Sequence, residues 1–230
     1  MRVAINHLTR MQPGYICVAG IDLDTGRNVR PVLNSRLRRN LLALEGGVFE
    51  IGRVVELGVV KYVGRAPETE DYLFDPANAK ALEKLSDKQF WNLVSKSAAG
   101  SLNEIFGDDL HPQGRGLALS MNKGKVSLGC LRTKTPPILS IAEFFGKERL
   151  RVCILDAGTE YWISVTDIRL YEKDQATLKY DQIHRLTQLL RKGEEAVMCV
   201  GLARPWLKPG DTERRHWLQL NNIHLKNHPF

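Results

Sequence analysis

The sequence Gly14-Tyr-Ile-Cys-Val-Ala-Gly-Ile-Asp-Leu-Asp-Thr-Gly-Arg-Asn-Val-Arg-Pro-Val32 determines how the start of the chain folds. Its first half is β-branched, aromatic and apolar, which favours a strand. Asp24–Asn28 is a polar turn whose glycine can adopt positive φ. A second strand follows, and because Pro31 has no N–H to donate, that strand lies at a sheet edge or ends there. The stretch therefore predicts a small β-unit that presents Arg27 and Arg30 beside its turn.

Short strand-like runs recur along the rest of the chain. Val3–Ile5 predicts a short strand, and the polar run Asn6–Pro13 predicts a loop after it. Arg53–Val63 is β-rich, with a glycine that can bend it. Leu150–Leu155 and Tyr161–Val165 are expected to pair as strands around a polar turn. Many short strands favour small β-barrels over a parallel α/β sheet.

Helical patterns are few. Ala77–Leu85 has a helical composition, and Ser86 is a good N-cap for a helix over Asp87–Ser97. Asp181–Arg191 carries apolar residues along one helical face.

Leu117–Met121 and Lys125–Arg132 are expected to form a hairpin. We therefore expect a mostly β chain of two small β-barrels in tandem. Residues 1–115 form the first, with a helical insert at about 76–106, and residues 116–230 form the second, with one helix at about 181–192.

Composition points to a folded, basic protein. The chain has 230 residues, is 43% hydrophobic and can therefore bury a core. Its 33 lysines and arginines exceed its 26 acids, giving a net charge of +7. This excess favours an anionic partner, although ribosomal, membrane-surface and merely soluble basic proteins share it. The sequence has neither a recognisable secretory signal nor an apolar run long enough to span a membrane. We therefore expect a cytoplasmic protein that does not bind membranes.

The four cysteines are Cys17, Cys130, Cys153 and Cys199. Each lies alone inside an apolar, strand-like run, which is typical of a reduced core thiol. Structural zinc sites usually need cysteines or histidines paired at short spacing, and this sequence has no such pair. We therefore expect neither a metal ion nor a cofactor.

Three anchors occur in the order found in a known family. They are Gly14–Gly20 followed by Arg30-Pro31-Val32, then Ser164-Val165-Thr166-Asp167, then Cys199–Pro205 followed by Trp217–Ile223. On these residues the chain resembles the dual OB-containing domain (DuOB) family of prokaryotic conflict systems, from about Arg2 to Leu225. It departs from the family at Asn6–Met11, where an apolar–polar run usually precedes the glycine.

The resemblance implies two OB-like barrels and a role in sensing or binding nucleic acids in antiviral or mobile-element conflict. We interpret the chain as a non-catalytic nucleic-acid-binding module, with single-stranded DNA or RNA as the ligand. It would act with a separate effector protein encoded nearby, such as a nuclease or helicase. Two alternatives stay open: a protein-interaction scaffold and a sensor of a nucleotide ligand.

Candidate binding residues are the basic and aromatic ones, because OB folds hold the nucleic-acid backbone with cations and stack bases on aromatic rings. Arg30 suits a phosphate, and a salt bridge to Asp22 or Asp24 is the alternative. The further basic candidates are Arg36, Arg38, Arg39, Lys61, Arg132 and Lys134. Phosphate contact is one interpretation of these residues, and solvated surface charge is the other.

Tryptophans are the candidate stacking platforms. Trp206 follows a proline in a predicted loop beside Arg204, which favours a base platform. Trp162 alternates with a tyrosine along a strand, and a core position is the alternative for both indoles. Thr166 is a candidate nucleic-acid contact, although Thr166 and Asp167 together are typical of a structural cap.

Catalytic motifs give little support to an enzyme. The sequence has no Walker loop, no Gly-x-Ser-x-Gly elbow and no His-Glu-x-x-His. Asp108-Asp109-Leu110-His111 is its only cluster of acids with a histidine. A metal-dependent nuclease built on that cluster is the least favoured hypothesis.

Overall fold

The computed structural model describes residues 1–144 and 146–228. Residues 229 and 230, which the sequence assigns to the second barrel, lie outside this range. Within the described residues the strands form two sheets. The first sheet contains β1 (Arg2–Arg10), β2 (Tyr15–Asp22), β3 (Asn28–Val32), β4 (Leu37–Arg38), β5 (Arg53–Glu56), β6 (Lys61–Tyr62), β7 (Asp71–Leu73) and β8 (Lys80–Lys84).

The second sheet is larger. It contains β9 (Ala98–Ala99), β10 (Leu110–Gln113), β11 (Gly116–Ser120), β12 (Leu128–Leu131), β13 (Ile138–Phe144), β14 (Lys147–Asp156), β15 (Thr159–Val165), β16 (Ala196–Leu202) and β17 (Arg215–Leu225). The α-helices of the described residues are α1 (Asp87–Lys96), α2 (Leu102–Phe106) and α3 (Tyr180–Arg191). The predicted mostly β fold with few helices is confirmed. The proposed boundary at residue 115 stays a prediction.

Strand order shows that neither sheet is a simple meander. In the first sheet the order is β6-β7-β3-β2-β1-β5-β8, with β4 paired to β2. In the second it is β13-β14-β15-β17-β16-β12-β9, with β11 joining β10 to β17. Most neighbours are antiparallel, whereas β3 with β7, β15 with β17 and β9 with β12 are parallel. Each sheet covers its own apolar core.

The opening β-unit forms as its sequence predicts. β2 and β3 pair as an antiparallel hairpin, and Gly26 in the turn has a φ of +70°. Their ladder ends at the pair Gly20–Val29, before Pro31. Beyond it Arg30 donates its backbone N–H to Glu70 O at 2.7 Å, and β3 continues beside β7. The proline therefore lies past the end of the β2 ladder, where its missing donor costs nothing.

Three local expectations are wrong, each because long-range pairing overrides local composition. The predicted loop over Asn6–Pro13 belongs to β1 as far as Arg10. Part of Ala77–Leu85, expected to be helical, is β8, which pairs with β5. The hairpin expected from Leu117 to Arg132 is absent from the described residues, since β11 pairs with β10 and β17 while β12 pairs with β16 and β9.

Two of the helices match their sequence signals. Ser86 and Gln89 form a reciprocal capping box at the start of α1, and Trp91 and Val94 of α1 pack on the second sheet. The helix α3 buries Ile183, Leu186 and Leu190 against the same sheet. Among the described residues, no helix has the length and apolar character needed to cross a membrane.

The two sheets meet along β1 and β17, through a buried polar seam. The Asn222 side chain accepts from Leu8 N at 2.6 Å and donates to Leu8 O at 3.3 Å, replacing a strand ladder. Arg10 N donates to Thr166 O at 2.9 Å. Both strands contain a register shift at the seam, at Asn6 in β1 and at Asn221 in β17. Such bulges redirect side chains, and here they turn polar groups towards the contact.

Candidate functional site

A groove of about 820 Å³ lies between the two sheets and is lined by residues of both. Its described lining contains no aspartate or glutamate. It contains five arginines, namely Arg10, Arg30, Arg36, Arg149 and Arg204. A concave surface lined by one sign of charge concentrates the field and attracts ions of the opposite sign. We call this feature the arginine groove.

Arg30 and Arg204, which both line the arginine groove, share the carboxylate of Asp71, which is not part of the lining. Arg30 is only 4% exposed and donates from Nε to Asp71 Oδ1. Arg204 donates from Nη2 to Asp71 Oδ2 at 2.6 Å and lies 3.1 Å from Glu68 Oε1, yet its side chain stays 53% exposed. Burial lowers the pKa of Arg204, but Asp71 and Glu68 together raise it above its usual value. Arg204 is therefore a fixed, charged donor that solvent or a ligand can reach.

Arg10 and Arg36 lie over aromatic rings. The Cζ of Arg10 is 3.9 Å from the centroid of the Tyr171 ring, and its Nη1 donates to Gln175 O. The Cζ of exposed Arg36 is 5.7 Å from the centroid of the Tyr15 ring. Stacking on a ring face limits the freedom of a guanidinium while leaving N–H donors at its edge. Both cations are thus partly preorganised towards the groove.

Trp206 is the aromatic residue of the groove lining. Its side chain is 46% exposed, and two backbone hydrogen bonds of 3.2 Å tie it to Arg215. An indole fixed at its backbone and open on one side can stack against a base. The alternative of a core position does not apply to this tryptophan.

The chain thus has two sheets with a cleft between them, and the lining of that cleft is basic. The model of the dual OB-containing domain family matches residues 1–223. The chain belongs to the dual OB-containing domain family. A comparison with curated proteins gave no match. The resemblance of Gly14–Gly20, Ser164–Asp167 and Cys199–Pro205 to this family is therefore confirmed.

In this dual OB-containing chain, the arginine groove brings together five of the residues predicted as nucleic-acid contacts. These five are Arg30, Arg36, Thr166, Arg204 and Trp206. Thr166 lies at the seam, where its Oγ1 donates to Leu220 O at 3.2 Å. Asp167 beside it accepts from Arg169 N at 3.1 Å and caps a short 3₁₀ helix, as its structural interpretation predicts.

The other predicted residues do not line this groove. Arg38 and Lys61 are exposed outside it, and Arg39 is paired with Glu45 at 2.7 Å on a different depression. Arg132 and Lys134 line a separate hollow, where Arg132 forms an ion pair with Glu195.

Trp162 is half-buried on β15, also outside the arginine groove, and its backbone O accepts from Arg151. A nucleic-acid role stays a prediction for it, as it does for Arg38, Arg39, Lys61, Arg132 and Lys134.

Two groove arginines were not predicted from the sequence. Arg10 falls in the run expected to be a loop, and only the extension of β1 carries it to the seam. Arg149 lies in β14, one residue before the predicted strand Leu150–Leu155. Arg149 lies in the exposed first part of β14, and sequence alone gives no reason to place it in the same groove as Arg10.

The acidic cluster that suggested a nuclease has hydrogen-bonding roles. Asp108 Oδ1 accepts from Asn103 Nδ2 at 2.8 Å, and Asp109 Oδ2 accepts from Gly124 N at 3.1 Å. These contacts hold the turn between α2 and β10 in place. Carboxylates used in this way fit the structural interpretation of Asp108 and Asp109.

A second polar cluster is buried at the seam between the two sheets. His7, Cys130 and Cys199 come together there, although their positions in the sequence are far apart. The hydrogen bond between the two sulfurs lowers the pKa of Cys130 well below its usual range, and His7 adds to this effect. Burial, together with the neighbouring Cys130, raises the pKa of Cys199. Both are buried free thiols, as the sequence predicts, and strand pairing in addition places them side by side.

His224 lies beside the same seam. Its Nε2 is 2.8 Å from Asn6 O, and its ring packs edge-on against Phe90 with centroids 4.9 Å apart. Burial lowers the pKa of His224 well below its usual value, and the positive charge of Arg169 lowers it further. The imidazole is therefore neutral in the folded protein near pH 7, donating from Nε2 to the Asn6 carbonyl.

Proposed function

We propose that this dual OB-containing chain is a non-catalytic module that binds single-stranded DNA or RNA in the arginine groove. The observation that carries the proposal is the lining of that groove, which combines five arginines with a rigidly held, half-exposed tryptophan and no described acid. Basic grooves with aromatic platforms bind single strands without needing a particular sequence.

Each group has a distinct part in this proposal. Exposed Arg36, Arg149 and Arg204 contact successive phosphates, since a planar guanidinium can donate two parallel hydrogen bonds to one phosphate. Trp206 stacks against a base. Arg30 is too deeply buried to touch a strand, so it acts through Asp71 by holding Arg204 in place.

The proposal extends to the setting of the protein. We propose that the module guides a separate, nearby-encoded effector in a prokaryotic defence or mobile-element conflict system. A cytoplasmic location fits this role. Chemistry on the bound strand is assigned to the effector, because Asp108 and Asp109 are engaged in hydrogen bonds of a turn.

A nucleotide sensor is the second candidate, and the size of the groove favours keeping it. Pockets for small ligands typically have volumes of about 300–1,000 Å³, and the arginine groove falls within that range at about 820 Å³. A sensor would bind a mononucleotide as tightly as a longer strand. A protein-interaction scaffold would instead bind its partner chain and would bind neither the mononucleotide nor the strand.

Fluorescence anisotropy with labelled single-stranded DNA and RNA tests the proposal. Binding should weaken with salt, and three phosphate contacts predict a slope of about −2 for log K against log [salt]. Competition by unlabelled mononucleotide separates a sensor from a strand binder. Incubation with Mg²⁺ or Mn²⁺ should leave the strand intact. Absence of binding to either strand at low salt would reject the proposal, and cleavage lost in Asp109→Ala would assign an enzyme instead.

A further inference from the structure

Cys130 and Cys199 face each other across two central strands of the second sheet. They are direct partners in the antiparallel register of β12 and β16, and their Sγ atoms are 3.6 Å apart. Both residues are almost fully buried, with 2% and 0% exposure. Strand pairing therefore builds a fixed pair of sulfur ligands that has no counterpart in the spacing of the sequence.

His7 reaches this pair from the first sheet. Its ring nitrogen and the two sulfurs all lie within 4.8 Å of one another. The residue is buried, and among the described residues its Nε2 forms no hydrogen bond of good geometry, although the ring interacts with the Cys130 thiol. A buried nitrogen of this kind is costly unless something else satisfies it. Nδ1 lies 3.1 Å from Asn221 Nδ2, which fixes the plane of the ring.

Asn6 completes the cluster. The bulge in β1 places Asn6 out of register beside His7, and its Nδ2 lies 3.4 Å from each of the two sulfurs. The carboxamide nitrogen and the two sulfurs thus form a nearly equilateral triangle with edges of 3.4, 3.4 and 3.6 Å. The Oδ1 of Asn6 is buried and has no described partner.

We propose that His7, Cys130 and Cys199 bind one zinc ion at the seam between the sheets, with the Asn6 carboxamide as the fourth donor. Two thiolates on tetrahedral zinc, with bonds of about 2.3 Å, are separated by roughly 3.8 Å, close to the sulfur separation found here. A 180° flip of the Asn6 carboxamide exchanges Oδ1 and Nδ2. Oδ1 would then lie about 3.4 Å from each sulfur, a separation that suits an oxygen and two sulfurs bound to one tetrahedral zinc ion.

The surrounding groups satisfy the chemistry of binding. Zinc takes the thiolate forms, so binding releases two thiol protons to solvent and changes no oxidation state. Coordination by His7 Nε2 puts the ring proton on Nδ1, and a half-turn of the Asn221 amide gives that proton an oxygen acceptor. After that turn the amide nitrogen faces Thr166 Oγ1, which can accept from it. The bulge at Asn221 and the glycine at position 201 leave room for this amide, since a Cβ at Gly201 would clash with it.

The consequence for the protein is a cross-link between the two OB-type units. His7 and Asn6 belong to β1 of the first sheet, whereas both cysteines belong to the second. An ion held by both would fix the sheets on either side of the arginine groove. Because the inference rests on the buried cluster alone, it stands or falls independently of what the groove binds.

Metal content of the purified full chain tests the proposal directly. The protein is produced with zinc in the medium, purified without chelator and measured by inductively coupled plasma mass spectrometry. We expect about one zinc per chain, falling at least tenfold in Cys199→Ser and in His7→Gln. Cys153→Ser removes another buried thiol outside the cluster and should retain the zinc. Circular dichroism shows which variants are folded.

Cobalt substitution keeps the test decisive if a variant does not fold. Cobalt(II) added to the apo wild-type protein should give tetrahedral d–d bands and a sulfur-to-cobalt charge-transfer band, both removed by stoichiometric zinc. Three outcomes would overturn the proposal: wild-type protein without zinc and without these bands, zinc retained in Cys199→Ser, or copper bound at the site in place of zinc.

Discussion

Arg204 and Asp71 join the two sheets at the arginine groove, with Nη2 of one 2.6 Å from Oδ2 of the other. Asp71 lies in β7 of the first sheet, and Arg204 follows β16 of the second. The same carboxylate accepts from buried Arg30. One acid thus neutralises a cation in the interior and positions another at the surface, so it connects the stability of the fold with the geometry of the groove.

Asp71→Ala should destabilise the protein by about 3–5 kcal/mol, because it leaves the Arg30 guanidinium buried without its counter-ion. Urea denaturation followed by circular dichroism gives the free energy of unfolding. Asp24→Ala is the matched control, since Asp24 pairs with Arg2 at the exposed surface. That control should change stability by no more than about 1 kcal/mol. Equal stability of the two variants would contradict the structural role of Asp71.

Trp206→Ala should weaken binding of single-stranded oligonucleotides by about 1–3 kcal/mol, the usual contribution of one stacked base. The melting temperature should be unchanged, because the indole is half-exposed. Leu207→Ala, which truncates an adjacent side chain of similar exposure outside the groove lining, serves as the control. Loss of folded structure in Trp206→Ala would instead show that the indole stabilises the fold, which would contradict its role as a free base platform.

Arg36→Ala should lower the magnitude of the salt slope of binding by about 0.7, the value expected for one phosphate contact to a single strand. Arg38→Ala removes an equally charged, exposed residue two positions away that does not line the groove. Its slope should equal that of the wild type. Anisotropy titrations at four or more salt concentrations measure the salt slopes of both variants. An equal decrease of the slope in Arg36→Ala and Arg38→Ala would mean that net charge drives binding and that the groove does not.

His224 should make the fold sensitive to acid. The ordinary histidine pKa of about 6.5 applies to the unfolded chain, and burial lowers the pKa in the folded protein. Between these two values the unfolded chain binds the additional proton, so this contribution to stability is complete above about pH 6.5 and decreases as the pH falls. The free energy of unfolding should drop by up to about 1.4 kcal/mol per pH unit.

Urea denaturation between pH 7 and pH 5 measures that slope. His224→Gln keeps an N–H donor for Asn6 O but cannot take up a proton, so its slope should be shallower. His184→Gln changes an exposed histidine on α3 and should reproduce the wild-type slope. A His224→Gln slope as steep as the wild-type slope would assign the acid sensitivity to other groups.

Much of the fold follows from local sequence. The opening β-unit, the β14–β15 hairpin and the capped helix α1 all have short-range signals: alternation, turn residues and an N-cap. The second half of β1 has no such signal, because Asn6, His7 and Thr9 are polar and predict a loop. Asn6 and His7 are buried because the second sheet supplies hydrogen-bond partners, Asn221 and His224, which lie more than 200 residues away in the sequence.

The candidate sites also divide into residues that local sequence can predict and residues that only long-range strand pairing brings together. Arg36, Arg204 and Trp206 were predicted from residue type and turn context, and the structure places all three in the lining of the arginine groove. The zinc ligands were missed because Cys130 and Cys199 are 69 residues apart and become neighbours through strand register alone. Spacing rules for metal sites describe ligands that share one loop, so they do not reach ligands contributed by three separate strands.

Photo-crosslinking of a halogenated single-stranded oligonucleotide to the full chain, with the site mapped by mass spectrometry, tests the central claim most directly. We predict crosslinks at Trp206 and at Met11, both of which line the arginine groove, and their loss when Arg36 and Arg204 are both replaced by alanine. Crosslinks confined to Trp162 or to the hollow at Arg132 and Lys134 would contradict the claim.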